Sequence, residues 1–159
     1  MYIIENDNQR PYWELTYKNG VVVRESDTNT FQSIIKDLLL SFKLVQPNMY
    51  EFELNCETGV FTVNHKKVDT NTILNNLGHQ HLNYGAGLIQ FKSARVLIGS
   101  QGASDEILDT ANLGYKVSLN GFLYQFIITH DYNIDINILE IKVTDLNNKN
   151  SEVERIALW

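Results

Sequence analysis

Two Asn-Gly pairs, Asn19-Gly20 and Asn120-Gly121, each stand between runs rich in β-branched and aromatic residues. A two-residue type I′ turn requires positive φ at both central positions, which Asn and Gly tolerate, so each pair commits its flanks to an antiparallel hairpin. The first joins Tyr12-Trp13-Glu14-Leu15-Thr16-Tyr17 to Val21-Val22-Val23-Arg24-Glu25; the second joins the run Tyr115 to Leu119 to the run Phe122 to Ile128. A further hairpin spans Met49 to Val63. With Glu57-Thr58 as its turn and Gly59 in a left-handed bulge position, Leu54 opposes Phe61 and Phe52 opposes Val63 on one face. Glu51, Glu53 and Asn55 then fall on the other, solvated face.

Phe31, Ile34, Ile35, Leu38, Leu39 and Phe42 recur at helical spacing and form one apolar stripe, with Asn29 as cap and Pro47 beyond the end. A short polar helix is expected from Asp69 to Leu77, stopped by Gly78, and another from Ser104 to Leu113, stopped by Gly114. Leu88 to Phe91 and Arg95 to Ile98 read as two strands around Lys92-Ser93-Ala94. Ile134 to Thr144 reads as a long strand with a phase change near Leu139, which would be a bulge or an unusually buried segment, and Glu152 to Trp159 as a final strand. Hairpins separated by single helices predict an α+β domain over residues 1–159: an antiparallel sheet built from hairpins, one main amphipathic helix, and one or two short helices.

The 159 residues carry a formal net charge of −6. Phosphate binding needs clustered Lys and Arg, so this balance argues against direct nucleic-acid contact and favours a protein partner with a basic surface. A lone cysteine, Cys56, gives no intrachain disulfide; the acidic start Met1-Tyr2-Ile3-Ile4-Glu5 is unlike a signal peptide, and no apolar run reaches membrane-spanning length. A cytoplasmic location and no membrane partner are expected.

Candidate chemistry is sparse. A Cys56–His65 nucleophile and base requires hydrogen-bond reach, but the hairpin register sets His65 opposite Tyr50, far along the strand from Cys56. His79-Gln80-His81 lacks the accompanying residues of a metal motif and reads as polar loop, so no metal or cofactor is expected. Gly99-Ser100-Gln101-Gly102 resembles a phosphate loop, yet Asp105 and Glu106 would occupy the helix start where a phosphate must sit. Glu14, Glu51, Glu53 and Glu140 lie on expected strands with outward phase and read as solvated. No catalytic residue is therefore assigned. The remaining cluster is acidic and aromatic: Asp105, Glu106 and Asp109 together with Asp131, Tyr132 and Asp135. These six are the expected partner-binding residues, the carboxylates steering a basic surface and the tyrosine anchoring it.

Abundant Asn, Ile, Lys and Tyr, only two Pro, small size and acidity together give a chain that resembles phage-encoded anti-CRISPR proteins of the staphylococcal, type II-A kind that inhibit Cas9. The resemblance implies a bacterial host cytoplasm and stoichiometric, non-catalytic binding to the Cas9–guide RNA complex. Two routes follow from it, carboxylates occupying the DNA groove or docking on a nuclease domain such as HNH. A modest charge of mixed sign favours the second. The alternatives are a small-molecule or nucleotide-binding module that sequesters a ligand, and then a small hydrolase.

Overall fold

A computed structural model describes residues 10–17, 22–25, 43–44, 48–83, 85, 87–99 and 108–159. The expected helix over 31–42, the Asn19-Gly20 turn, the Gly99 to Gly102 loop from Ser100 onward, and Asp105 and Glu106 lie outside the described residues. The elements are β1 (Arg10–Tyr17), β2 (Val22–Glu25), β3 (Lys43–Leu44), β4 (Asn48–Asn55), β5 (Phe61–Val63), β6 (Lys66–Val68), α1 (Thr72–Asn83), β7 (Leu88–Gly99), β8 (Leu108–Leu119), β9 (Phe122–Asp131), β10 (Ile136–Asp145) and β11 (Ser151–Ala157). The hydrogen-bonded order is β11-β10-β9-β8-β7-β4-β5-β6, with β1 joining β8 to β2 and β3 pairing the end of β7. Every one of these pairings is antiparallel, and with one helix among the described residues the chain fits the α+β class, strongly weighted toward sheet.

Turn chemistry places the hairpins where the sequence asks for them. Asn120 and Gly121 take φ of 52° and 80°, and Leu119 pairs with Phe122 across them. Phe52 pairs with Val63 and Leu54 with Phe61, while Gly59 takes φ of 73°. The β5 strand does not run on to place His65 opposite Tyr50. Asn64 and His65 both adopt positive φ and reverse the chain into β6, so that Val63 pairs with Lys66. Asn64 is held there by mutual hydrogen bonds with the Glu51 backbone, its N–H donating to the Glu51 carbonyl and its Oδ1 accepting from the Glu51 N–H, each at 2.8 Å.

Four further expectations are corrected. The helix begins after Asn71, whose Oδ1 accepts the Leu74 N–H at 2.9 Å, and it runs through Gly78 to Asn83. Gly78 does not stop it: the helix continues through this buried position, packed against Leu54 of β4 and against Cys56 just beyond that strand, and Gly85, at φ 84°, follows its end instead. Lys92-Ser93-Ala94 is not a break, since β7 is continuous and pairs there with β4. The stretch from Leu108 to Leu113 is strand, not helix, because β1 on one edge and β7 on the other satisfy its backbone, and tertiary pairing outweighs local propensity. Finally, β9 and β10 pair without a register shift, so Leu139, Ile141 and Val143 form one inward set and no bulge interrupts the strand.

Gly114 is the branch point of the sheet. On one edge of β8, β7 pairs with residues up to Leu113 and β9 pairs from Tyr115 onward, while β1 stays on the other edge as far as Lys116. A methyl at Gly114 would collide with the Phe126 carbonyl oxygen and lie 2.7 Å from carbons of the Tyr12 ring. Beyond this fork an aromatic seam joins the two wings: Phe91 of β7 sits 4.7 Å from both Phe52 and Phe126, centroid to centroid, and 5.3 Å from Tyr115. The seam belongs to a core that unites β4, β5, α1 and β7 with β8, β9 and β10 through Leu54, Phe61, Leu74, Leu77, Val117, Ile128 and Leu139.

Candidate functional site

Along β7 the inward positions are Ile89, Phe91, Ser93 and Arg95, so the same face of one strand passes from apolar core to polar residues. Ser93 is buried and donates its hydroxyl to the Leu113 carbonyl. Arg95 is 3% exposed, which is unusual for a residue whose charge is costly to remove from water. Register explains what surrounds it. Arg95 stands opposite Asn112 of β8, and Asn112 stands opposite Glu14 of β1, so the three lie in one row across three strands. Asn112 is 3% and Glu14 is 6% exposed.

Burial of Glu14 overturns the expectation of a solvated carboxylate. Alternation along β1 does put Glu14 on the opposite side from Trp13 and Leu15, but both sides of β1 are covered, and all three side chains are buried. The cover includes residues of the turn between β9 and β10. Glu14, Thr16, Arg95 and Asn112 share a cavity of about 190 Å³ with Thr129, His130 and Tyr132. By contrast Glu51 and Glu53 are exposed as expected, Glu51 beside Lys92 at 3.3 Å, and Glu140 is bound by Arg155 at 3.1 Å.

The β9–β10 turn is built by its own side chains. Asp131 Oδ1 accepts the Asn133 N–H at 2.9 Å, and Asp135 adopts φ of 53° to bring the chain back into β10. His130 links the turn to the strands, one ring nitrogen 3.0 Å from Asn137 Oδ1 and the other 3.0 Å from Asp135 Oδ1. Asn137 is oriented in turn by its amide donating to the Trp159 carbonyl at 2.9 Å. Arg95 Nη2 donates to the Tyr132 hydroxyl at 3.0 Å, Nη1 reaches Asn137 Oδ1 at 3.5 Å, and the guanidinium carbon lies 5.8 Å from the Tyr132 ring centroid. Burial holds the Arg95 guanidinium below its ordinary range, an effect partly offset by Tyr132 and Tyr50.

Of the expected partner-binding residues, the structure brings Asp131, Tyr132 and Asp135 together in this turn. Tyr132 is 67% exposed although its hydroxyl is bound, and the nearby Ile134 is 60% exposed. Asp109 belongs to β8 and is passed over where the β1–β8 register shifts between Thr16 and Tyr17. Sequence reasoning missed Arg95 and His130 as partners of Tyr132, and Asn112 as a residue lining the same cavity. The available signal was Ser93 and Arg95 in phase with Ile89 and Phe91, a polar continuation of an apolar strand face.

The other chemical candidates are separated. Cys56 is buried, its Sγ 3.9 Å from the Leu54 carbonyl, and burial pushes its thiol up. The His65 side chain is almost wholly exposed and lies 3.9 Å from Glu51 at the far end of the β4–β5 pair. His79 and His81 sit on α1 rather than in a loop, with His79 exposed and His81 buried. Among the described residues no group of three or more His, Cys, Asp or Glu is arranged to hold a metal ion, and no helix is long and apolar enough to cross a membrane. Comparison with protein-family models, with curated proteins and with solved structures found no match.

Proposed function

We propose that this chain is a non-catalytic binding protein that docks on a basic protein surface through the β9–β10 turn. The observation that supports this reading is the pairing of exposure with fixation at Tyr132: the ring faces solvent while its hydroxyl is tied to a buried arginine. A side chain ordered before association loses little rotamer freedom on binding, and tyrosine is among the residues that dominate interface energy. Ile134 beside it adds apolar area, and Asp131 and Asp135 bracket both with negative charge that steers a cationic partner.

The partner to which the anti-CRISPR resemblance points is the Cas9–guide RNA complex, with docking on a domain such as HNH favoured over occupation of the DNA groove. Purified chain added to a staphylococcal Cas9 complex is expected to block target cleavage at a near-equimolar ratio. Tyr132→Ala should raise the amount needed by at least about tenfold, the size of a single interface anchor. Undiminished cleavage at about tenfold excess of the unaltered chain rejects Cas9 as the partner, and equal potency of Tyr132→Ala rejects the turn as the contact.

A further inference from the structure

We propose that the open edge of β11 is a strand-addition site for an extended segment of a partner protein that carries basic side chains at alternate positions. This surface is separate from the β9–β10 turn, and strand addition does not rest on docking through that turn.

β11 ends the sheet: it pairs with β10, and among the described residues no strand lies on its other side. The Leu158 N–H donates to the Asn137 carbonyl and the Asn150 carbonyl accepts the Asp145 N–H, each at 2.8 Å, so the even-numbered residues turn their backbone groups toward β10. By alternation Ser151, Val153, Arg155 and Ala157 turn theirs outward, and all of them are exposed. Devices that commonly blunt such an edge are missing. β11 holds no proline, and its register with β10 runs unbroken from the Thr144–Ser151 pair to the Ile138–Ala157 pair.

What guards the edge is charge, and the charge is one-sided. Arg155 is matched by Glu140, opposite it on β10, at 3.1 Å. Glu152 and Glu154 lie on the other face, opposite Val143 and Ile141, and neither has an ion-pair partner among the described residues. A second copy of the chain is therefore a poor occupant. Outward-facing residues must meet outward-facing residues, and the two-fold antiparallel registers that cover most of β11 are centred on Val153, Glu154 or Arg155. The first opposes Glu152 to Glu154, the second opposes the Glu154 carboxylates to each other, and the third opposes two Arg155 side chains. Like charges so placed destabilise a strand pair. A strand with Lys or Arg opposite Glu152 and Glu154, and an apolar residue opposite the 41% exposed Val153, turns that repulsion into attraction while completing the backbone ladder.

The probe is the blocked peptide acetyl-Val-Thr-Lys-Val-Lys-Thr-Val-amide, titrated into the intact chain and followed by ¹⁵N-resolved NMR. Saturable binding is expected, with shifts centred on β11 and with amide exchange at Val153 and Arg155 slowed at least about tenfold. Replacing both peptide lysines by glutamates should weaken binding at least about tenfold. N-methylation of the central valine and both threonines, which removes the N–H groups aimed at β11 and keeps the charge, should abolish it. Glu152→Gln combined with Glu154→Gln should remove the preference for the lysine peptide. No saturable binding, equal binding of the glutamate or the N-methylated peptide, or Val153 and Arg155 amides already protected in the free chain, by the chain itself or by a second copy at high concentration, would each overturn the proposal.

Discussion

The Tyr132 hydroxyl accepts a 3.0 Å hydrogen bond from Arg95 Nη2, joining a side chain that is 67% exposed to one that is 3% exposed. Through this bond the conformation of a surface turn is tied to a charge inside the sheet. Tyr132→Phe removes the acceptor and leaves a buried charged donor short of a partner, at a cost of about 1.5–3 kcal/mol. Urea denaturation followed by circular dichroism checks it; an unchanged midpoint would show that water replaces the hydroxyl without penalty.

Three glycines separate three physical causes. Gly114→Ala sets a methyl against the Phe126 carbonyl and the Tyr12 ring at the fork of the sheet, and is expected to destabilise by more than about 3 kcal/mol. Gly59→Ala meets no atom within 4 Å but must hold φ of 73°, so its cost is about 1–2 kcal/mol from backbone conformation alone. Gly78→Ala finds Leu54 Cδ2 at 3.7 Å, an ordinary contact, inside a helix, and is expected to stabilise by about 0.5–1 kcal/mol. Melting temperatures of the three variants should fall in the order Gly78→Ala, Gly59→Ala, Gly114→Ala.

This ordering also marks what the sequence discloses. Asn120-Gly121 and Gly59 declare their turns locally, because positive φ restricts the residues that fit, and the β4–β5 and β8–β9 registers follow from them. Gly114 and Gly78 look like helix stops by the same local logic, yet each lies inside an element whose neighbours are distant in sequence: Phe126 and Tyr12 leave no room for a side chain at the first, and Leu54 and Cys56 lie at ordinary contact distance from the second. The candidate site divides along the same line. Asp131, Tyr132 and Asp135 lie close together in the chain and are legible as an acidic and aromatic cluster. Arg95, Asn112 and Glu14 meet only through strand pairing across β7, β8 and β1, which no local spacing reveals.

Alkaline pH should weaken the fold through its buried acids. Burial raises the Cys56 thiol above 9.0 and the Tyr50 and Tyr124 phenols above 10.0, with Arg95 partly opposing the effect at Tyr50 and a Gln80 hydrogen bond opposing it at Tyr124. Each group keeps its proton longer folded than unfolded. The stability it contributes is therefore fully present below the unfolded value and is lost as pH rises through the folded one. Denaturation midpoints are expected to be flat with respect to these groups up to pH 9 and to decline above it, the decline steepening beyond pH 10. Cys56→Ser should retain the second decline while losing the first; an identical profile would exclude the thiol as its source.

Phe91 stands at the centre of the aromatic seam between the two wings of the molecule. β7 leaves β8 at Leu113 and β9 takes its place at Tyr115, so between the Phe91 end of β7 and the Phe126 end of β9 the contact is made by side chains rather than by a backbone ladder. The Phe91 ring stands 4.7 Å from Phe52 on one side and from Phe126 on the other. Phe91→Ala empties that position and should cost about 3–5 kcal/mol, whereas Phe91→Leu, which keeps most of the volume, should cost less than about 2 kcal/mol. Hydrogen exchange distinguishes a severed seam from general weakening. If the ring couples the wings, amide protection in Phe91→Ala should fall in β4 and β7 and in β9 by different amounts, because each wing then opens with its own free energy. A uniform fall across both would mean that the β8 backbone and the rest of the shared core suffice to keep them one cooperative unit.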